Sequence, residues 1–206
     1  MIKACLFDLD GVFYISDRIL QGSNQTIDWL KYNKIPYKFI TNTTTLSRLG
    51  LANKLSKLGL NICVDDIVSA SYAGALYLKK IKPKSCKLIL KEEAKNDYQQ
   101  FNINNQNPEF IIIGDIGDNW SFQLMNELCN NVLNGSKMIA LHKGRYFQTD
   151  NGLQIDAGAF ITGLEHATKT QAHIIGKPSQ SFFELAMQDF NISSKEIALV
   201  GDDIYN

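Results

Sequence analysis

The stretch CLFDLDGV, residues 5–12, runs three apolar side chains straight into two carboxylates one residue apart, and then into a glycine. Like charges that close repel, and aspartate is a poor strand residue. A chain that ends a buried strand on Asp8 and Asp10 has a chemical use for them. Seven more short apolar runs follow: YKFI, DIVSA, KLIL, FIII, MIAL, HII and IALV. All are near-continuous rather than alternating, as strands covered on both faces should be. Helical patterns lie between many of them. Ser23 is expected to cap a helix carrying Ile27, Trp29 and Leu30, and Ser47 one over RLGLANKLSKLG that stops at Gly59. Ser179 is expected to cap QSFFELAMQDF, and Leu124, Leu128 and Val132 recur at helical spacing. This alternation predicts an α/β fold, a doubly wound and largely parallel sheet with helices on both faces.

The chain has 206 residues, with 21 Lys+Arg against 21 Asp+Glu. No global field draws it to nucleic acid or to an acidic membrane surface. The basic run KKIKPKSCK (79–87) reads as a solvated loop. Four dispersed cysteines form no CxxC pair, so reduced thiols in a cytoplasmic protein are the expectation. A short apolar stretch broken at once by Asp8 is not expected to act as a signal peptide, and no window is expected to span a bilayer. QQFNINNQNPEF (99–110) reads as a surface loop, and KGRYFQTDNGLQ (143–154) as a hairpin turning at DNG. Both suit a second lobe inserted between about residues 82 and 171.

Four of the apolar runs end on polar groups. ACLF ends at Asp8, YKFI at Thr41 and Asn42, HIIG at Lys177, and ALVG at Asp202 and Asp203. In an open parallel sheet, ligands bind outside the carboxyl ends of the strands. The set therefore predicts one crevice holding carboxylates, a hydroxyl and an ammonium. Clustered carboxylates are tolerable around a hard divalent cation, and Mg²⁺ takes one or two of them with waters and phosphate oxygens. A carboxylate can attack phosphorus and form an aspartyl phosphate. A metal and a lysine can neutralise the phosphoryl charge, and Thr41 with nearby backbone N–H groups can donate to its oxygens.

DLDGV, TNTT, GKPS and GDD, in that order, resemble the four motifs of the haloacid dehalogenase (HAD) superfamily of phosphohydrolases. FITNTT, IALHKGRYF, GAFITGLEHAT and IIGKPSQSFF are similar to its class IIA branch. The resemblance implies a Rossmann-like core in residues 1–81 and 172–206, with an inserted α/β cap domain in 82–171. It implies a Mg²⁺-dependent phosphatase for a small phosphorylated metabolite, and homodimerisation through the cap. By position it makes Asp8 the nucleophile and Asp10 the general acid and base. Thr41, Asn42 and Thr43 hold the phosphoryl group, and Lys177 bridges it to Asp8. Asp8, Asp202 and the Asp10 carbonyl bind the metal, supported by Asp203. The cap lowers His142, Lys143 and Arg145 over the leaving group.

Each motif alone has an ordinary reading: an Asx turn around Gly11, a turn at Thr41, a surface lysine, a common loop. Their order in one chain is what sets them apart. The rival readings are a dehalogenase, a phosphotransferase of the same superfamily, a phosphate-receiver domain and a non-catalytic binding protein. A receiver domain leaves the insert unexplained. Asp156 is read as a helix cap. Two departures from the family pattern stand out. Val12 replaces a commoner Thr, and the acidic residue expected five positions after Asp202 falls just beyond Asn206. No later helix or strand covers IALV, so the expectation is a longer natural protein.

Overall fold

The computed structural model of the chain describes residues 1–149 and 152–202. Along it run β1 (Ala4–Asp8), a small hairpin of β2 (Tyr14–Ile15) and β3 (Arg18–Ile19), α1 (Ser23–Tyr32), β4 (Tyr37–Thr41) and α2 (Arg48–Lys57). Then come β5 (Ile67–Ser69), α3 (Ala70–Ile81), β6 (Cys86–Ile89), β7 (Phe110–Ile113), α4 (Phe122–Leu133) and β8 (Lys137–Ala140). The hairpin β9 (Tyr146–Thr149) and β10 (Gly152–Ile155) leads to α5 (Ala157–Thr168), β11 (His173–Ile174), α6 (Gln180–Met187) and β12 (Ile197–Val200). Among the described residues no helix is long and apolar enough to cross a membrane.

Two four-stranded parallel sheets carry the fold, ordered β12-β1-β4-β5 and β11-β8-β7-β6. The continuous apolar runs are explained by what covers them. Adjacent residues of a strand face opposite sides. Phe7, Phe39 and Ile67 pack with Ile27 and Leu30 of α1 and Leu51 and Leu55 of α2. Leu6, Ile40 and Val68 face the other way, into a cluster with Leu78 of α3 and Leu185 of α6. That same cluster contains Ile112 and Ile139 of the second sheet, so α3 and α6 lie between the two sheets. The far face of the second sheet, through Ile111, Ile113 and Met138, packs on Leu128 of α4 and Ile161 of α5.

Three expectations need correction. The run 79–87 is not one solvated loop: residues 79–81 end α3, and Cys86 and Lys87 are buried in β6. HII was expected to be a strand of the first sheet, but β11 pairs with β8 of the second. The backbone continues that pairing, with Ile175 N–H donating to Ala140 O and Gly176 N–H to Leu141 O, both at 2.8 Å. Lys177 thus arrives from the second sheet, and that sheet draws one strand from beyond residue 171. Ser23 does not cap α1. Gly22 holds the N-cap position, and the Ser23 hydroxyl donates instead to Phe13 O at 2.9 Å. Ser47, Ser179 and Asp156 do cap their helices.

The start of α2 is held from a distance. Glu93 accepts hydrogen bonds from the Ser47 N–H (2.6 Å) and hydroxyl (2.8 Å), and Asp97 accepts from the Arg48 N–H (3.0 Å). Both carboxylates lie in the segment Glu92–Tyr98, which follows β6 of the second sheet. Anions at a helix N-terminus satisfy its unpaired N–H groups and its dipole. Burial pushes the Asp97 carboxyl up to about 6, although the Arg48 N–H opposes the shift. The buried Tyr98 hydroxyl adds a bond of 2.7 Å to Ser71 O on α3.

Candidate active site

Parallel pairing puts Asp8 opposite Ile40 and Thr41 opposite Ser69, so the carboxyl ends of β1 and β4 lie side by side. Asp8 is only 7% exposed. One carboxylate oxygen accepts the Leu9 N–H at 2.9 Å, and the other is ion-paired with the Lys177 ammonium. Burial raises the Asp8 carboxyl above its ordinary value; Lys177 and the Leu9 N–H pull it down, and the charge of Asp202 pushes it up again.

The turn after Asp8 folds back tightly. Gly11 sits at φ +77°, its N–H donates to Tyr14 O at 2.9 Å, and the Phe13 N–H donates to Leu9 O at 3.0 Å. The turn brings the Asp10 carboxylate within 3.4 Å of the Thr41 hydroxyl. Thr41 in turn lies 3.0 Å from the Thr43 hydroxyl and accepts the Thr43 N–H at 3.2 Å. Tyr14 was not found by sequence reasoning. It is buried and its hydroxyl hydrogen-bonds to Asp10; burial first, and then the Asp10 charge, push the phenol far above its usual value. The only sequence signal is a tyrosine four residues past Asp10, across the glycine turn.

Lys177 is 6% exposed and is fixed through its backbone. Its N–H donates to the Asn42 side-chain oxygen at 2.8 Å, and the Asn42 amide donates back to Lys177 O at 3.1 Å. Asn42 therefore acts through Lys177: both ends of its amide tie the lysine to the loop carrying Thr41. Thr44 extends the tie, its hydroxyl accepting the Asp115 N–H at 2.9 Å from the end of β7.

Asp202 follows β12 and lies directly over Gly11, where an added Cβ would stand 2.0 Å from its carboxylate. Asp203 lies outside the described residues. Among the described residues, no group of three His, Cys, Asp or Glu side chains converges as a metal cluster. The pair Asp8 and Asp202 nonetheless fits Mg²⁺. The charge of Asp202 pushes against that of Asp8, which calls for a cation, and Mg²⁺ takes no more than one or two carboxylates with waters and phosphate oxygens.

A cavity of about 700 Å³ is lined by Asn42, Lys177 and Pro178 together with residues 142–146 and Asp156. His142, Lys143 and Arg145 thus share its wall with Lys177. Asp8 is not on that wall; it is reached through Lys177. Clustered carboxylates, a buried lysine and hydroxyls at strand ends can hold a phosphoryl group, attack it and move a proton.

Residues 5–104 match the profile of the family described as haloacid dehalogenase-like hydrolase. The chain is 32% identical over 204 residues to haloacid dehalogenase-like hydrolase domain-containing protein 2 of Mus musculus, covering 98% of this chain and 77% of that protein. It is 30% identical over 211 residues to human phospholysine phosphohistidine inorganic pyrophosphate phosphatase, covering 98% and 76%. Among solved structures, the p-nitrophenyl phosphatase from Archaeoglobus fulgidus matches with a TM-score of 0.92 at 26% identity, over 99% of this chain and 80% of that one. The 4-nitrophenylphosphatase from Thermotoga maritima matches with a TM-score of 0.90 at 25% identity, over 100% and 80%.

Proposed function

Because the chain belongs to the haloacid dehalogenase-like hydrolases, we propose that it is a phosphatase. It takes the phosphoryl group from a small phosphorylated compound through an aspartyl phosphate on Asp8. The observation that carries this reading is the buried Asp8 at the end of β1, paired with Lys177 and charge-coupled to Asp202.

The Asp8 carboxylate attacks phosphorus while Lys177 offsets negative charge on the phosphoryl oxygens. Thr41 and Thr43 donate hydroxyls to those oxygens. As the bond from phosphorus to the leaving oxygen breaks, Asp10 gives that oxygen a proton. Water then attacks the aspartyl phosphate and Asp10 takes its proton. The bond from phosphorus to Asp8 breaks, which restores the carboxylate and frees inorganic phosphate. Asp8, Asp202 and the Asp10 main-chain carbonyl would hold Mg²⁺, with Asp203 in support. When bound, the ion neutralises charge on the phosphoryl group. Tyr14 and Thr41 hold the Asp10 carboxyl in place for both proton transfers. His142 and Arg145 face the leaving group, and Lys143, paired with Glu165, anchors their segment to α5.

The test is phosphate release from p-nitrophenyl phosphate with Mg²⁺, comparing wild type with Asp8→Asn. An asparagine cannot form the acyl phosphate, so turnover should vanish while the thermal melt stays cooperative. Turnover within tenfold of wild type would refute the covalent mechanism.

A further inference from the structure

The charged side chains around the 700 Å³ cavity are not equally available. Lys177 is paired with Asp8. Lys143 is paired with Glu165, which is 6% exposed and also accepts the Ala172 N–H at 3.0 Å. That lysine is anchored to α5. Asp156, the one acid on the wall among the described residues, accepts the Ala157 N–H as the cap of α5. His142 Nδ1 lies 3.2 Å from the Gly144 N–H and 3.5 Å from an Asp156 oxygen. It can accept from one or donate to the other.

Arg145 differs. Among the described residues no carboxylate lies within ion-pair range of it, and its guanidinium sits 5.6 Å over the Tyr146 ring. A planar fork of donors on a cavity wall, unmatched by any acid among the described residues, can receive a carboxylate or phosphate from outside the protein. The transferring phosphoryl group already has Lys177, Thr41 and Thr43. A cavity of this size also has room for more than that one group.

We infer that the leaving group of the substrate carries a second anion, a carboxylate or a further phosphate, and that Arg145 receives it. This rests on the phosphatase reading and narrows it. Attraction at the remote end positions the phosphorus over Asp8, because binding energy away from the reacting centre can support the chemistry. Lys143 is a positioning residue: its pairing with Glu165 fixes the 142–145 segment against α5.

Three phosphates on one three-carbon frame test the inference. Glycerol 3-phosphate has no second anion, 3-phosphoglycerate has a carboxylate, and glycerol 1,3-bisphosphate has a second phosphate. Wild type should favour at least one anionic compound over glycerol 3-phosphate by roughly tenfold or more in kcat/KM, the size of a hydrogen bond to a charged group. The favoured compound identifies the anion. Arg145→Gln should reduce that ratio about tenfold, and Lys57→Gln, which removes a positive charge from α2 outside the cavity, should change it less than threefold. Three results overturn the inference: no preference in wild type, a ratio within twofold of wild type in Arg145→Gln, or an equal fall in Lys57→Gln. If wild type also fails to hydrolyse p-nitrophenyl phosphate, the phosphatase reading falls as well. If it hydrolyses that ester without the preference, the inference falls alone.

Discussion

Replacing Gly176 by alanine adds one methyl group at the point where the second sheet hands the chain to Lys177. A Cβ there would stand 2.2 Å from Leu141 O, 2.8 Å from the Asn42 side-chain oxygen and 3.3 Å from Ala70 Cβ. Real Cβ atoms essentially never come within 3.0 Å, so the methyl intrudes on the carbonyl by about 0.8 Å. The carbonyl cannot retreat freely. It accepts the Gly176 N–H at 2.8 Å, and Leu141 N–H is itself bonded to Ile113 O at 2.8 Å. The strand end and the 175–177 segment must therefore part, which weakens both the Gly176–Leu141 bond and the Asn42–Lys177 clamp. Overpacking costs about 1–3 kcal/mol and a weakened hydrogen bond about 0.5–1.5 kcal/mol, so stability should fall by roughly 2–4 kcal/mol. A typical domain has about 5–15 kcal/mol and stays folded. Lys177 moves with its backbone, and a misplacement of about 1 Å can lower a rate about 10²-fold. Urea denaturation followed by circular dichroism reads the first effect, and p-nitrophenyl phosphate turnover the second. A variant within 0.5 kcal/mol and threefold of wild type (roughly the resolution expected of such measurements) would refute the reasoning.

Asp10→Asn should lower turnover by roughly 10²–10⁴, more for an alkyl phosphate than for p-nitrophenyl phosphate, since a poor leaving oxygen needs the proton most. Equal losses on both esters would contradict its role as acid. Removing Mg²⁺ with a chelator should abolish turnover, and adding Mg²⁺ back should restore it; full activity in the chelator would exclude the metal requirement. Asp97 has a folded-state value of about 6, above the ordinary 3.8. The folded protein therefore binds this proton first, and stability relative to Asp97→Asn should rise as pH falls through about 6 toward about 4. Denaturation midpoints of the two proteins that track in parallel from pH 7 to pH 4 would contradict the shift.

Asp8, Thr41 and Lys177 were legible because each sits at the end of an apolar run, where sequence position alone fixes a place at the rim of a sheet. The parallel strands were legible because burial on both faces removes the polar alternation. Which sheet a run joins was not legible. His173 and Ile174 bond to Ile139 and Ala140, more than thirty residues back, and HII reads alike in either sheet. Ser23 has the right residue type for a cap, but its hydroxyl turns inward to Phe13 O and Gly22 takes the cap position. Tyr14 escaped because it reaches Asp10 only through the Gly11 turn. Glu93 and Asp97 escaped because a helix capped from 46 and 49 residues away leaves no local spacing to read.

Those two carboxylates determine where a chimera of this protein can be cut. A graft that exchanged residues 82–171 for another sequence would remove Glu93 and Asp97 and leave the Ser47 and Arg48 N–H groups at the head of α2 without partners. Losing a helix cap costs about 0.5–2 kcal/mol, and here the damage would fall on the helix directly behind the Thr41–Thr44 loop. The same cut would part β11 from β8 and Tyr98 from Ser71. The 82–171 stretch is therefore not an interchangeable module. A transferable unit must keep the Glu92–Tyr98 segment with its host helix, and must carry β11 along with the sheet it completes.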